Sequence, residues 1–498
     1  MDFITIMLGL VLAFALLKIL FSIGTKTKNL PPGPSSLPII GNLHLIGDKP
    51  HETFANLATK YGQILTLKLG QITTIIVSSR NIAKEILQKQ DANFAGKKKV
   101  PDALHAHNHF KYSVVWLPAN AQWKSLRKIL TTHIFSNNRI ELNNHLRLEK
   151  VKEMVEYCSQ CSKSGEAVEI GQVAFVTTMN MLANTIFSKD LTNIYSNSAV
   201  AKEFKESVQE MMADSAKPNS SDYFPILGKF DPQGIRKRYA RNFGKVLGVI
   251  DGVINERMEE RKLRGVNSNN DVLDVFLNFV EENKDEIDRN HIKHSCLDLF
   301  IAGTDTTSSA TEWAMAELLK NPEILKRAKD EIAEVIGVGK TIEEPDIAQL
   351  PYLRSIVKET LRLHPPGPFL FPRKPDKDLE VSGYTILANS QVIVNIWKLG
   401  RDPSFWKDPL TFKPERFLDS DFDVRGHNFE LLPFGSGRRV CPGIPLALKM
   451  FPTMLGSLIN SFDWKIGSNI APGELNMEER FGLALPMAHR LHAVPVPL

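Results

Sequence analysis

Cysteine is scarce in this 498-residue chain, which has only Cys158, Cys161, Cys296 and Cys441. That excludes a disulfide scaffold and suits a reducing compartment. Cys158 and Cys161 stand three apart, but no second pair completes a zinc site, so two packing cysteines on a helix are the simpler reading. Charge of one sign is also lacking. The formal net charge is +5, spread along the chain with no basic stripe interleaved with exposed aromatics, so no nucleic-acid partner is expected. There are no internal repeats, no low-complexity segment and no glycine-rich nicotinamide or flavin fingerprint. Beyond the first two dozen residues no apolar run is long enough to span a bilayer.

The first run is long enough. "FITIMLGLVLAFALL" (Phe3–Leu17) is unbroken, and with Lys18 snorkelling from its end the stretch reaches Ile23. As a helix, Phe3–Ile23 would cover roughly 31 Å, about one hydrocarbon core. No basic residue precedes it and no small-x-small cleavage site follows, which argues against a cleaved signal peptide. Lys26 and Lys28 place the rest of the chain on the cytoplasmic side. Residues 1–24 are therefore read as a transmembrane anchor. Residues 25–43, with "NLPPGPSSLPIIGNL" (Asn29–Leu43), are read as a stiff proline-rich hinge. Residues 44–498 form one cytosolic body, mainly α with small β-sheets. A hairpin is expected over Ile64–Ser79, turning at Gly70-Gln71, and a second β-rich stretch over Ser382–Trp397. Helical periodicity is clearest at 201–215, 240–262, 290–320, 323–336 and 350–363. Arg264–Asp271 reads as an exposed loop.

"PFGSGRRVCPG" (433–443) places Cys441 among three glycines and two arginines. Thiolate is the reactive and ligating form of cysteine. Arg438 and Arg439 favour it, and with Pro442 in a helical first turn the sulfur would lie near a helix N-terminus. The glycines allow tight turns and a flat ligand against the backbone. Alone, this loop is as consistent with a structural cysteine, or with a catalytic thiol lacking an evident histidine base. Three further segments bear on it. "KETLRLHPP" carries Glu359 and Arg362 at i, i+3, able to pair on one helix face, and "FKPERF" adds Arg416. "LFIAGTDTTSSATEWAM" inserts Gly303, three threonines and Asp305 into a core-like helix. There the Thr306 hydroxyl can bond back to the Ala302 carbonyl and bend the chain. "QWKSLRKIL" sets Trp123 and Arg127 at i, i+4, suited to one carboxylate.

Taken in order and spacing, these segments resemble the cytochrome P-450 haem-thiolate monooxygenases. Phe434, Gly437, Arg439, Cys441 and Gly443 match the haem-binding signature. Glu359 and Arg362 match the ExxR pair, with Arg416 completing a structural triad, and Ala302–Thr307 match the oxygen-activation motif. The resemblance covers the whole chain and includes the anchor and hinge of microsomal members. "HAHNHFKYSVVWLP" (His105–Pro118), "FDPQGIRKR" (Phe230–Arg238) and "MLGSLINSFDWK" (Met454–Lys465) read like plant terpenoid hydroxylases of the geraniol 8-hydroxylase type.

The resemblance implies a cytochrome P-450 fold binding haem b, with Cys441 as the axial thiolate of the iron. Trp123, Arg127, Arg373 and Arg439 would bind the propionates, and Ala302, Phe434 and Gly443 would lie against the haem. Thr306 and Asp305 would be the catalytic pair, one hydrogen-bonding dioxygen and the other helping to deliver protons. NADPH would act through a partner, NADPH–cytochrome P-450 reductase, docking near Lys124, Lys128, Arg438 and Lys449. Cytochrome b5 is the second partner this implies, and the endoplasmic reticulum membrane the location. Val115, Phe300, Gly367, Phe371 and Phe481 would line a pocket for a small lipophilic substrate. A monoterpene alcohol such as geraniol ranks first, a diterpenoid or phenolic substrate second. Gly367 departs from the branched residue usual in that group and enlarges the pocket, while Lys97–Lys99 add unusual charge to the access loop. A haem-thiolate isomerase or dehydratase and a non-catalytic haem sensor are rival classes; the Asp305-Thr306 pair favours the monooxygenase.

Overall fold

The main helices are α1 (Pro50–Tyr61), α2 (Ala121–Lys128), α3 (Asn144–Ser164), α4 (Ile170–Phe187), α5 (Ala199–Ser215), α6 (Ile235–Arg264), α7 (Val272–Glu282), α8 (Arg289–Lys320), α9 (Pro322–Val335), α10 (Pro351–Leu363) and α11 (Ile444–Ser461), and the five periodicities read in sequence fall in α5, α6, α8, α9 and α10. The structure is a computed structural model and describes Gly9 and residues 29–96, 100–191, 199–215, 217–264, 271–282, 286–467 and 471–498. The expected anchor, residues 1–24, lies outside the described residues apart from Gly9, as do Lys97–Lys99. Among the described residues no helix is long and apolar enough to cross a membrane.

Strands β1 (Ile64–Leu69) and β2 (Ile72–Val77) form the expected hairpin, with Leu69 opposite Ile72 across Gly70-Gln71. Gly70 adopts φ +56°, the left-handed conformation that glycine takes without strain. β6 (Gln391–Val394) adds to β2 in parallel. β4 (Leu379–Val381) and β5 (Tyr384–Ile386) pair with each other. β3 (Val168–Glu169), β7 (Phe462–Ile466) and β8 (His492–Pro497) make a third sheet ordered β3-β8-β7. From residue 32 the proline-rich stretch is docked on the body. The Thr66 N–H donates to Pro32 O at 2.7 Å, and a Cβ on Gly33 would run into the Thr66 carbonyl.

Helix α8 threads the core. Asp288 caps its start by accepting the His291 N–H at 3.1 Å. A run such as "GTDTTSS" disfavours helix because its hydroxyls compete for backbone groups. Here they are absorbed within the helix: Thr306, Ser308 and Thr311 donate to the carbonyls of Ala302, Thr304 and Thr307 at 2.7, 2.9 and 2.9 Å. Gly303 matters for packing, since a Cβ there would stand 2.8 Å from Leu182 of α4. One expectation is corrected. Asp271, placed in an exposed loop, is buried and pairs with Arg257 at 2.7 Å, which satisfies a carboxylate that could not otherwise leave water.

Candidate functional site

Glu359 and Arg362 lie on the buried face of α10 and pair through two bonds of 2.7 Å, with both side chains fully buried. The remaining Arg362 donors reach the carbonyls of Gly400 (2.5 Å), Pro409 (2.7 Å) and Thr411 (3.2 Å). Arg416 approaches Glu359 at 3.3 Å, and the Lys413 N–H donates to it at 2.7 Å. A surface pair would be worth little. This one is desolvated, and removing one member would strand a buried charge. It staples the meander at 400–416 to α10, immediately before the cysteine loop.

In that loop Gly435 and Gly437 take φ +72° and +73°. At Gly437 any Cβ would strike the Leu87 carbonyl, so only glycine lets the loop lie down there. The Cys441 N–H closes the turn onto Phe434 O at 3.0 Å. Helix α11 is capped by Gly443, and its first-turn proline is Pro445 rather than the expected Pro442, so Cys441 sits two residues before the cap. Burial pushes the thiol's pKa up, while the N–H groups of Gly443 and Ile444 and the Arg127 charge pull it back toward thiolate. Cys158, Cys161 and Cys296 are buried; burial raises Cys158 to about 12.

Around Cys441 the cations outnumber the acids. Arg127 of α2 donates to Val440 O at 2.6 Å. Arg439 donates to Leu117 O at 2.6 Å and stacks over Trp123 at 4.9 Å. Arg373 is buried, 3.7 Å from Asp91, a carboxylate that Arg438 already holds at 2.7 Å. Desolvation, with neighbouring arginines adding to it, pulls Arg373 and Arg439 down to about 10. Arg373 Nη1 and Arg439 Nε are buried without a hydrogen-bond partner. This is a site built for further negative charge. The Trp123 indole N–H is committed to Val114 O at 3.0 Å, so of the expected anion binders the three arginines have donors to spare and Trp123 does not. Asp91 was not singled out in sequence; more than 280 residues separate it from the arginines it meets, and no local pattern marks it.

On α8, Ala302 is exposed and Asp305 and Thr306 are half-buried, in a helix otherwise buried from Thr307 to Leu319. Burial pushes Asp305 up to about 6, opposed by Arg490 and Arg480. Three of the five expected pocket residues pack against other aromatic rings. Phe300 is fully buried, its ring against Phe187 and Phe204. Phe481 stacks on His51, and Phe371 sits exposed, edge-on to Trp116. Gly367 faces open space: a Cβ there would meet only Phe369 O, at 3.6 Å. Of the expected docking lysines, Lys124 and Lys128 are exposed, whereas Lys449 is half-buried and lies 3.4 Å from Glu344.

The cytochrome P450 family profile matches residues 31–488. The chain belongs to the cytochrome P450 family. It is 58% identical over 498 residues to a geranylhydroquinone 3''-hydroxylase of Arnebia euchroma, covering 100% of this chain and 99% of that one. It is 57% identical over 498 residues to a geraniol 8-hydroxylase of Catharanthus roseus, covering 100% of both. In fold it is similar to a zebrafish cytochrome P450 solved with progesterone, at TM-score 0.76 and 22% identity over 90% of this chain and 99% of that one. The chain is thus a P450 monooxygenase that binds haem through a cysteine thiolate and receives the electrons of NADPH through a reductase. The residues described fit that group: a half-buried thiol near three arginines, two of which (Arg373 and Arg439) have an unpartnered buried nitrogen, suits an iron ligand beside two carboxylates.

Proposed function

We propose that the enzyme hydroxylates the geranyl chain of a small terpenoid, with geraniol the first candidate, and that Cys441 is the thiolate that holds the haem. The observation that carries the haem assignment is the cationic, underpaired surroundings of Cys441, the least buried of the four cysteines. Arg127, Arg373 and Arg439 would hold the propionates. The haem, when bound, activates O2 and delivers one oxygen atom to a C–H bond. The Thr306 hydroxyl donates to Ala302 O, which leaves its lone pairs free to accept a hydrogen bond from a species arriving on the open face of α8. Asp305, with its pKa near 6, changes protonation just below neutrality and so can pass protons to that face.

The relatives named for geraniol and for geranylhydroquinone support the substrate class, since both compounds carry a geranyl chain. The open space at Gly367 supports a second reading, a prenylated phenol, whose ring needs room that a branched residue would fill. An anchor formed by residues 1–24 would hold the body on the endoplasmic reticulum membrane. Lys124, Lys128 and Arg438 would face the reductase, with cytochrome b5 an alternative donor on the same cations. Turnover of geraniol and geranylhydroquinone in microsomes with reductase, with products identified by mass spectrometry, tests the proposal. It fails if neither compound is hydroxylated by protein that shows the red-shifted carbon-monoxide spectrum.

A further inference from the structure

The segment "HAHNHFKYSVVWLP" carries three side chains, His107, His109 and Ser113, whose hydrogen bonds the haem site does not explain. Its chain reverses sharply at His107 and Asn108, two successive non-glycine residues with φ +49° and +54°. Such a pair persists only where the surroundings hold it. The holding groups are side chains. His107 Nε2 donates to Ala240 O of α6 at 2.7 Å. His109 is buried, with Nε2 3.1 Å from Asp298 of α8, and Ser113 Oγ donates to the other oxygen of Asp298 at 2.7 Å. His109 Nδ1 faces His294 Nδ1 at 2.9 Å. A carboxylate only accepts, so His109 Nε2 carries a proton; with His109 a neutral ring, its Nδ1 accepts from the His294 Nδ1–H. Burial, with His109, Lys293, His107 and His291 nearby, pulls His294 down to about 3, which keeps that imidazole neutral. Tyr112 stacks on His294, and Phe243 of α6 closes the other side of His109.

The relay His294–His109–Asp298–Ser113 ends at the start of a short segment that does something else. The carbonyls of Val115 and Leu117 accept from Arg439 at 3.5 and 2.6 Å, and Val114 O takes the indole N–H of Trp123. Five residues thus join a buried carboxylate on α8 to the arginine beside Cys441. We propose that the relay positions residues 113–117, so that this loop and Arg439 move as one unit, with Asp298 and the His109–His294 pair as positioning residues. A molecule that lifts the loop would then also shift the cation beside the haem.

The test uses the full-length haem-loaded enzyme, with 4-phenylimidazole as a probe that binds the iron whatever the natural substrate is. Asp298→Asn and His294→Leu are expected to change the dissociation constant for the probe about five-fold or more and to shift the haem midpoint potential. The carbon-monoxide spectrum should stay in place. His294→Asn, which keeps a donor at the Nδ1 position, should stay within about two-fold of the parent in affinity and should retain the potential. The proposal is overturned if His294→Leu matches the parent in both readouts, or if His294→Asn and His294→Leu are equally impaired. Should Asp298→Asn fail to fold, the two His294 variants still decide. Failure of the geraniol assignment alone would leave these readouts unchanged.

Discussion

Two arginine-rich regions are built to opposite rules. At Glu359–Arg362–Arg416 each charge is answered: the carboxylate takes two arginines and a backbone N–H, and the Arg362 donors end on the Glu359 carboxylate and main-chain carbonyls. Around Cys441 the reverse holds. Arg127, Arg373 and Arg439 crowd together, Asp91 is shared with Arg438, and two buried guanidinium nitrogens have no partner. The first region is complete in the protein alone and holds the fold. The second leaves buried donors over, which are available to the anionic groups of the haem proposed there.

The sharpest way to break the contrast is at its satisfied end. Glu359→Ala strands two arginines and should destabilise the protein by about 3–5 kcal/mol, to be read as loss of folded, haem-binding protein on expression; near-normal yield would put the pair among weak surface bridges. Next comes the unsatisfied end. Cys441→Ala should keep far-ultraviolet circular dichroism within a few per cent of the parent and abolish the red-shifted carbon-monoxide band; survival of that band would reassign the ligand. Arg373→Gln should leave the haem-free protein within about 1 kcal/mol of the parent, because it also relieves repulsion. It should speed haem transfer to apomyoglobin about ten-fold, in line with the loss of one charge-assisted hydrogen bond. Equal damage to folding and haem retention would erase the distinction.

The smallest effect concerns protons. Asp305 is raised from 3.8 to about 6 by burial, so its ionised form is disfavoured in the folded state. Its contribution to stability therefore falls as pH rises from about 4 through 6. If Asp305 passes protons, product formed per NADPH consumed should show an inflection near pH 6 that Asp305→Asn removes. An unchanged profile would assign proton delivery elsewhere.

Much of this was legible in sequence because it rests on local spacing. Glu359 and Arg362 are three apart on a helix, Ala302 and Thr306 four apart, and Gly70-Gln71 turns a hairpin between two alternating runs. Each relation needs only the period of the helix or strand. The glycines around Cys441 were legible for the same reason, since their φ values are a property of the loop.

The rest depended on pairs far apart in the chain. Periodicity showed Phe300 as an apolar position on a helix, but only packing decided that its ring meets Phe187 and Phe204. Asp271 looked exposed until α6 brought Arg257 to it. His109, Asp298 and Arg439 are joined through a segment that spacing alone cannot link, because burial and partner choice are set by which surfaces meet. Backbone conformation and neighbours within a turn made five helices, the hairpin and the thiol-bearing loop readable from the residues alone. The tertiary structure decided which charges are paired and which await a ligand, because that depends on what desolvates each group and what stands across from it.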